Sequence, residues 1–326
     1  MRYVIALCLF LFACGKDSKV SPPVLKPSVP ELPKPPAEGG IVTEHGFLTV
    51  ANSKVVDKDG KPFQLRGFSL FWSQWSESFY IPETVAQHKI LGANVVRAAM
   101  GVEMGGYLQD KSQVEKIETV IEAAIKEDIY VIVDWHAHGQ YTDEAEAFFL
   151  SMAKKYGKTP HVIFELWNEP VYTSWDAVKT YSEIILESIR DVGAQNLVIV
   201  GSPSWSQRVD EAAANPVRDS NTAYSVHFYA ATHGQWLRDR VADAMKSGIA
   251  IVATEWGTCD ASGNGRLDFA ESEKWISFLA ENDVGWANWS WFDKPESASA
   301  LVSGTNPLGP YNYTLSGTWV IQKLGN

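Results

Sequence analysis

The sequence predicts an α/β fold, a (β/α)8 TIM barrel with a short N-terminal β-hairpin cap. Eight short apolar segments alternate with segments of helical periodicity across residues 45–326, about 35 residues per repeat, which is the length of one barrel unit. Two of these segments, Ile129-Tyr130-Val131-Ile132-Val133 and Leu197-Val198-Ile199-Val200, are apolar at every position, as parallel strands covered on both faces must be. The C-terminal ends of the segments collect charged and aromatic residues, and barrel enzymes place their chemistry at that end. A doubly wound open sheet is the competing architecture. It usually needs a glycine-rich phosphate loop after the first strand, and Leu65-Arg66-Gly67-Phe68-Ser69 offers one glycine.

The elements follow in order. Met1-Arg2 precedes an apolar run of 11 residues, Tyr3 to Ala13, too short for the roughly 20 helical residues that cross a bilayer. It reads as an export signal. Leu11-Phe12-Ala13-Cys14-Gly15 resembles the bacterial lipobox, which implies cleavage before Cys14 and a lipid on its sulfur. Residues 15–44 carry seven of the 16 prolines with four acids and four lysines, a composition that favours extended polyproline II at about 3.1 Å per residue and a reach of roughly 90 Å. The expected division is a signal peptide at 1–13, a lipidated cysteine and proline-rich linker at 14–44, and a catalytic barrel domain at 45–326. The expected location is outside the cytoplasm, held to a bacterial membrane through the lipid anchor alone, at the cell surface or in the periplasm.

Phe47 to Val56 alternates in the manner of a hairpin and precedes the turn signal Lys58-Asp59-Gly60-Lys61. Strands are predicted at Phe63–Leu70, Asn94–Met100, Tyr130–His136, Val162–Asn168, Leu197–Gly201, Ala223–Tyr229, Ala250–Glu255 and Trp286–Trp291. Between the second and third, Ser112 and Glu115 form a capping-box signature ahead of Val114, Ile117, Ile121 and Ile125 at helical spacing. Thr142–Tyr156, Trp175–Val192, Gln235–Lys246 and Phe269–Asn282 repeat the helical pattern, each stopping at or near a glycine.

With 28 Lys and Arg against 39 Asp and Glu, the net charge is −11. No basic excess exists to neutralise phosphates, so a nucleic-acid partner is excluded. Three cysteines cannot frame a disulfide-held fold; Cys8 leaves with the signal, and Cys259 has no partner. The chain is expected to act as a monomer.

The predicted strand ends carry Arg97, Asp134-Trp135-His136, Trp167-Asn168-Glu169-Pro170, His227-Phe228-Tyr229, Thr254-Glu255-Trp256-Gly257 and Asn288-Trp289-Ser290-Trp291. Eight of the 13 tryptophans, Trp72, Trp75, Trp135, Trp167, Trp205, Trp256, Trp289 and Trp291, lie at or just past such an end, where a flat ring can stack on a pyranose. Glu169 and Glu255 close strands four and seven, and cleaving a glycosidic bond needs one carboxylic acid and one carboxylate on opposite faces of the sugar. A barrel radius of roughly 7.5 Å puts Cα atoms three strands apart at about 14 Å. Side chains reaching inward roughly 4 Å each then bring the carboxylates to roughly 6 Å, near the short separation of retaining enzymes. Asn168 and Glu169 are adjacent and cannot both face the axis of a regular strand, so the chain must bend there.

In this order the motifs Trp167-Asn168-Glu169-Pro170, His227-Phe228-Tyr229, Thr254-Glu255-Trp256-Gly257 and Asn288-Trp289-Ser290 resemble glycoside hydrolase family 5, in its bacterial endo-β-1,4-glucanase (cellulase) branch, from about His45 to the C-terminus. The resemblance implies a retaining double displacement on β-1,4-glucan, with Glu169 as general acid/base, Glu255 as nucleophile, and no cofactor or metal. It implies that Arg97 and Tyr229 hold Glu255 ionised, that His227 modulates a Glu169 kept protonated, that Asn168 bonds the sugar 2-hydroxyl and that His136 reaches substrate. It implies substrate contacts from Lys294 and Glu296 on the non-reducing side, sugar platforms at Trp75 and Trp205 on that same side, and a substrate-lining Trp289 followed by a cis peptide. The sequence departs from many relatives at Phe71, in place of a histidine, and at Gly101, in place of a tyrosine, beside the cleaved bond.

Other readings compete. A related β-glycanase, acting on mannan, xylan or mixed-linkage glucan, would carry the same motifs. His136 and His138 form a His-x-His at a strand end, a spacing that metal-dependent barrel hydrolases use for zinc, although His138 also reads as a simple loop residue. A sugar-binding protein without activity would keep the tryptophans and lose a carboxylate, and both are present. Cys259 as a thiol nucleophile lacks an adjacent activating histidine and reads as a small buried filler.

Overall fold

The computed structural model describes residues 39–325, and within them eight parallel strands close into a barrel. They are β1 Arg66–Leu70, β2 Val95–Gly101, β3 Tyr130–His136, β4 Val162–Glu165, β5 Val198–Val200, β6 Thr222–Tyr229, β7 Ala250–Gly257 and β8 Gly285–Trp291. Each pairs with the next, and β8 returns to β1 with Trp286 opposite Arg66. Four of the expected helices appear at Gln113–Glu127, Thr142–Tyr156, Trp175–Asp191 and Gln235–Lys246, and a fifth at Phe269–Glu281.

Alternation along the strands sorts their side chains into two compartments. Outward residues such as Val96, Val131, Val133, Phe164, Val226 and Trp256 join the core between barrel and helices. Inward residues Val95, Tyr130, Ile132, Ile163, Ile199, Ala223 and Val252 fill the lower barrel and meet Val42, Leu48, Val55, Phe63 and Leu65 from the N-terminal segment. That segment plugs the end opposite the strand termini. It contains a helix at Ile41–His45 and an antiparallel hairpin of Thr49–Ala51 with Lys54–Val56. Asn52 and Ser53 both take positive φ, 51° and 62°, the pair of left-handed residues that a two-residue type I′ turn requires.

Several expectations shift. Residues 41–44, assigned to the linker, belong to the folded domain: Val42 is buried, and its amide donates to Asp128 O at 3.3 Å. The capping box at Ser112 does not form, because Ser112 is itself helical; Asp110 accepts from its amide and from Gln113 Nε2 instead. Cys14 and the proline run lie outside the described residues.

Strand β4 stops at Glu165, short of the predicted Asn168. The chain bends through Leu166 to Asn168, and the amides of Asn168 and Glu169 donate to Trp135 O and Ala137 O at 3.1 and 3.2 Å. The bend lets both neighbouring side chains reach the mouth. A bulge does the same on β7: Ser225 pairs with Val252 but His227 with Glu255, two steps against three. The β8 side shows the same slip, from Trp286 with Ala253 to Asn288 with Trp256. One unpaired residue reverses the alternation, so Thr254 and Glu255 both face inward and Trp256 faces out.

Candidate active site

The floor of the mouth is a buried polar layer centred on Arg97. Its Nε donates to Glu165 Oε2 at 2.7 Å, one terminal nitrogen lies 2.8 Å from Asp134 Oδ2 and donates to Asn168 Oδ1 at 2.7 Å, and the other lies 3.4 Å from Glu255 Oε2. Thr254 donates to Glu165 Oε1 at 2.6 Å. Burial alone would depress the guanidinium, but the charges of Asp134, Glu165 and Glu255 hold it above its usual value. Arg97 therefore serves Glu165 and Asp134 first and Glu255 only at longer range. The sequence reading assigned no role to Glu165. Inward parity with Ile163 on an otherwise apolar strand was the signal that could have found it.

Above this floor, one carboxylate oxygen of Glu169, one of Glu255 and a ring nitrogen of His227 lie within 4.8 Å of one another. That separation is shorter than the roughly 6 Å expected and close to the 5–5.5 Å or so of retaining glycosidases. The Tyr229 hydroxyl donates to Glu255 Oε1 at 2.9 Å. Gly257 makes room for this ring, since a Cβ there would sit 2.5 Å from Tyr229 Cδ1. Glu169 meets a histidine on each oxygen: His227 Nδ1 at 2.8 Å from Oε1 and His138 Nε2 at 3.3 Å from Oε2.

The electrostatics set the two carboxylates apart. Burial would raise Glu169, but the hydrogen bonds and charges of His138 and His227 overcome it and hold the carboxyl down, to about 2. Glu255 is raised, by burial and by the charge of Glu169, against the opposing pull of His227, Arg97 and Tyr229. In the free cleft the two histidines thus favour the ionised form of Glu169, against the expectation of a carboxyl kept protonated. The facing Glu165 and Glu169 overcome the effect of burial on His227 and raise it to about 9. His138, read from sequence as a loop residue, bridges Glu169 and Glu103 and is raised to about 10 by those two carboxylates.

His136 and His138 do not act as a pair. His136 Nδ1 faces Asp134 Oδ2 at 2.7 Å, and its ring lies parallel to Trp289 with centroids 5.1 Å apart, whereas His138 looks across to the two glutamates. The zinc reading of His-x-His loses its geometry. Asn168 is buried, and its Nδ2 is an unspent donor with no partner among the described residues. The Trp289–Ser290 peptide is cis.

Two hollows flank the glutamates. One of about 290 Å³ is lined by Phe71, Trp72, Trp75, Trp289, Lys294 and Glu296, the other of about 530 Å³ by Trp205, Gln207 and His233, and both reach Glu169, Tyr229 and Glu255. Trp75 and Trp205 were expected on one side; they stand on opposite sides of the glutamates. Each is about half exposed, at 47% and 45%. Trp205 sits in a left-handed turn with Ser204 and Ser206, at φ values of 58°, 57° and 54°, a conformation that costs of order 1 kcal/mol per residue. Ser206 Oγ ties this turn to Asn168 O at 2.8 Å, so the platform and the Glu169 bend are fixed to each other. Four other tryptophans, Trp135, Trp167, Trp256 and Trp291, point outward into the helix-facing core and meet no sugar. At the two departures, Phe71 stacks on Phe292 at 4.8 Å under the Lys294 ammonium. A Cβ at Gly101 would overlap the Gln74 amide.

Residues 56–295 match the family model described as cellulase (glycosyl hydrolase family 5). The chain belongs to glycosyl hydrolase family 5. Among family relatives, an endoglucanase of Clostridium saccharobutylicum is 43% identical over 304 residues, covering 89% of this chain and 67% of that protein. Endoglucanase Z of Dickeya dadantii (strain 3937) is 46% identical over 270 residues, covering 80% and 63%. The chain thus spans about two thirds of the length of these curated family members. The catalytic domain of Thermobifida fusca endoglucanase Cel5A, solved in complex with cellotetraose, superposes with a TM-score of 0.84 at 30% identity, covering 88% of this chain and all of that one. As a family 5 member the chain is a glycoside hydrolase with the barrel fold.

Proposed function

We propose that the protein is a retaining endo-β-1,4-glucanase in which Glu255 is the nucleophile and Glu169 the general acid/base. The observation that carries this reading is the approach of the two carboxylates within 4.8 Å at the junction of two open hollows. A cleft open at both ends admits the middle of a polymer, and the short separation leaves no room for a water between carboxylate and sugar.

In the first step a Glu255 oxygen bonds to the anomeric carbon as the bond to the leaving oxygen breaks, and that oxygen takes a proton from Glu169. In the second, Glu169 takes a proton from water as the water oxygen displaces Glu255. Arg97 and Tyr229 stabilise the carboxylate whenever it is free, and the unspent Asn168 Nδ2 suits the sugar 2-hydroxyl, a contact that strengthens as positive charge develops on the ring. Trp75, Trp289, Lys294 and Glu296 hold the sugars on one side of the cleaved bond and Trp205 those on the other. The relatives support glucan as the polymer.

The test is turnover of a panel of soluble β-glucan, mannan and xylan, with the first-formed anomer read by proton NMR. Retention on β-1,4-glucan is expected, and the Glu255→Gln and Glu169→Gln variants should each lose about 10²–10⁴-fold or more. An inverted first product, or turnover unchanged in Glu255→Gln, removes the reading. We further propose that Cys14 carries a lipid that anchors the exported enzyme; Cys14→Ala should move it from the membrane fraction to the soluble one.

A further inference from the structure

Hydrogen-bond accounting around His227 fixes where one proton can sit. Glu165 is acceptor-only, so the single hydroxyl proton of Thr254 goes to Glu165 Oε1 at 2.6 Å. Thr254 Oγ1 must then accept from His227 Nε2, 2.9 Å away. With Nε2 carrying its hydrogen, the 2.8 Å contact between His227 Nδ1 and Glu169 Oε1 has two readings that hold the same number of protons: imidazolium beside carboxylate, or neutral imidazole accepting from a carboxylic acid. Only the second makes Glu169 a general acid. The proton crosses one short hydrogen bond, from Nδ1 to Oε1, and the two charges cancel.

What chooses between them is the charge at the other Glu169 oxygen. His138 Nε2 is 3.3 Å from Oε2, and its Nδ1 is 3.7 Å from Glu103 Oε2. A carboxylate facing each nitrogen favours the doubly protonated ring. Glu103 is itself held in place by the Gly139 amide, which donates to its Oε1 at 2.7 Å. The other groups facing this cluster are His136, whose protonation His138 opposes, the Tyr141 hydroxyl beside Glu103, and the Trp72 ring 5.6 Å from His138; Glu255 faces Glu169 from across the cleft.

We propose that His138, anchored by Glu103, is a positioning residue whose positive charge keeps the shared proton on His227 in the empty cleft and sets the pH above which Glu169 can no longer serve as acid. This rests on the proposed role of Glu169 and deepens it. The leaving oxygen of a bound glycan must compete with His138 for Oε2, since Oε1 belongs to His227. Arrival of substrate therefore weakens the contact that keeps the acid disarmed.

The cation lowers the affinity of the Glu169–His227 pair for its proton, so removing it shifts the pH limit upward. In His138→Gln the alkaline limb of kcat/KM is expected to rise by about one pH unit, a tenfold change in proton affinity, with the value at the optimum reduced less than tenfold. A role in shape alone would lower kcat and leave the limb in place, and a limb within 0.2 unit of the parent overturns the proposal. The second readout needs no substrate and so stands apart from the glucanase reading: nitrogen NMR of ¹⁵N-histidine-labelled protein. His138 should be doubly protonated at pH 8 in the parent and should titrate at least one unit lower in Glu103→Gln. A neutral His138 at pH 8 in the parent, or a titration unmoved by Glu103→Gln, also overturns it, whether or not His138→Gln folds.

Discussion

Arg97 and Glu165 meet through a 2.7 Å hydrogen bond at the floor of the cleft, and neither side chain touches solvent. Two charges this deep are held by each other and by Thr254, Asp134 and Asn168, and removing one leaves the rest uncompensated.

Glu165→Gln is therefore expected to destabilise the protein by about 3–5 kcal/mol, read by denaturant unfolding, although Glu165 touches no substrate. A loss under about 1 kcal/mol would show that Asp134 and Glu255 suffice to hold the guanidinium.

Tyr229 donates to the charged form of Glu255. Burial and the Glu169 charge already raise Glu255, so activity should fall on the acid side as pH drops through a value above the usual carboxylate range. Tyr229→Phe removes a hydrogen bond to the ionised form and should move that acid limb up by about one unit. An unmoved limb would assign it to another group.

The two exposed platforms flank the glutamates from opposite sides. Trp75→Ala and Trp205→Ala should each weaken oligosaccharide binding by about 0.5–1.5 kcal/mol beyond the area lost. They should also move the cleavage position of an end-labelled cellopentaose in opposite directions. Displacement in the same direction would contradict the two-sided arrangement.

His88 is fully buried against Trp291 and Phe68, and neither ring nitrogen has a partner among the described residues. Burial depresses it to about 3, whereas in the unfolded chain it titrates near 6.5. Between those values the unfolded chain binds the extra proton, so stability is complete above about pH 6.5 and falls as pH drops toward 3, with a slope approaching 1.4 kcal/mol per pH unit. His88→Phe should flatten this dependence in urea melts at pH 4–7. An unchanged slope would place the acid sensitivity elsewhere.

The barrel was legible because period-2 and period-3.6 patterns alternate cleanly; Thr142–Tyr156 and Gln235–Lys246 begin and end at the predicted residues. The site was legible where it departs from those patterns, at Asn168-Glu169 and Glu255, since polar residues are foreign to a strand end built for a core. Thr254 and the Glu103–His138 pair were not, because their importance arises from hydrogen bonds to Glu165 and His227 and from a contact between distant loops. Tryptophan content misled for a related reason: composition counts rings but cannot say which way each one points, and the reversal at Thr254 sends Trp256 outward.

The described chain begins beside the plug formed by Ile41–His45 and the hairpin, under the strand starts, while the catalytic groove lies over their far ends. A glycan lying lengthwise along the groove is thus separated from the N-terminal plug by the full height of the strands, so the segment that seals the barrel and the surface that receives a chain can vary independently of each other.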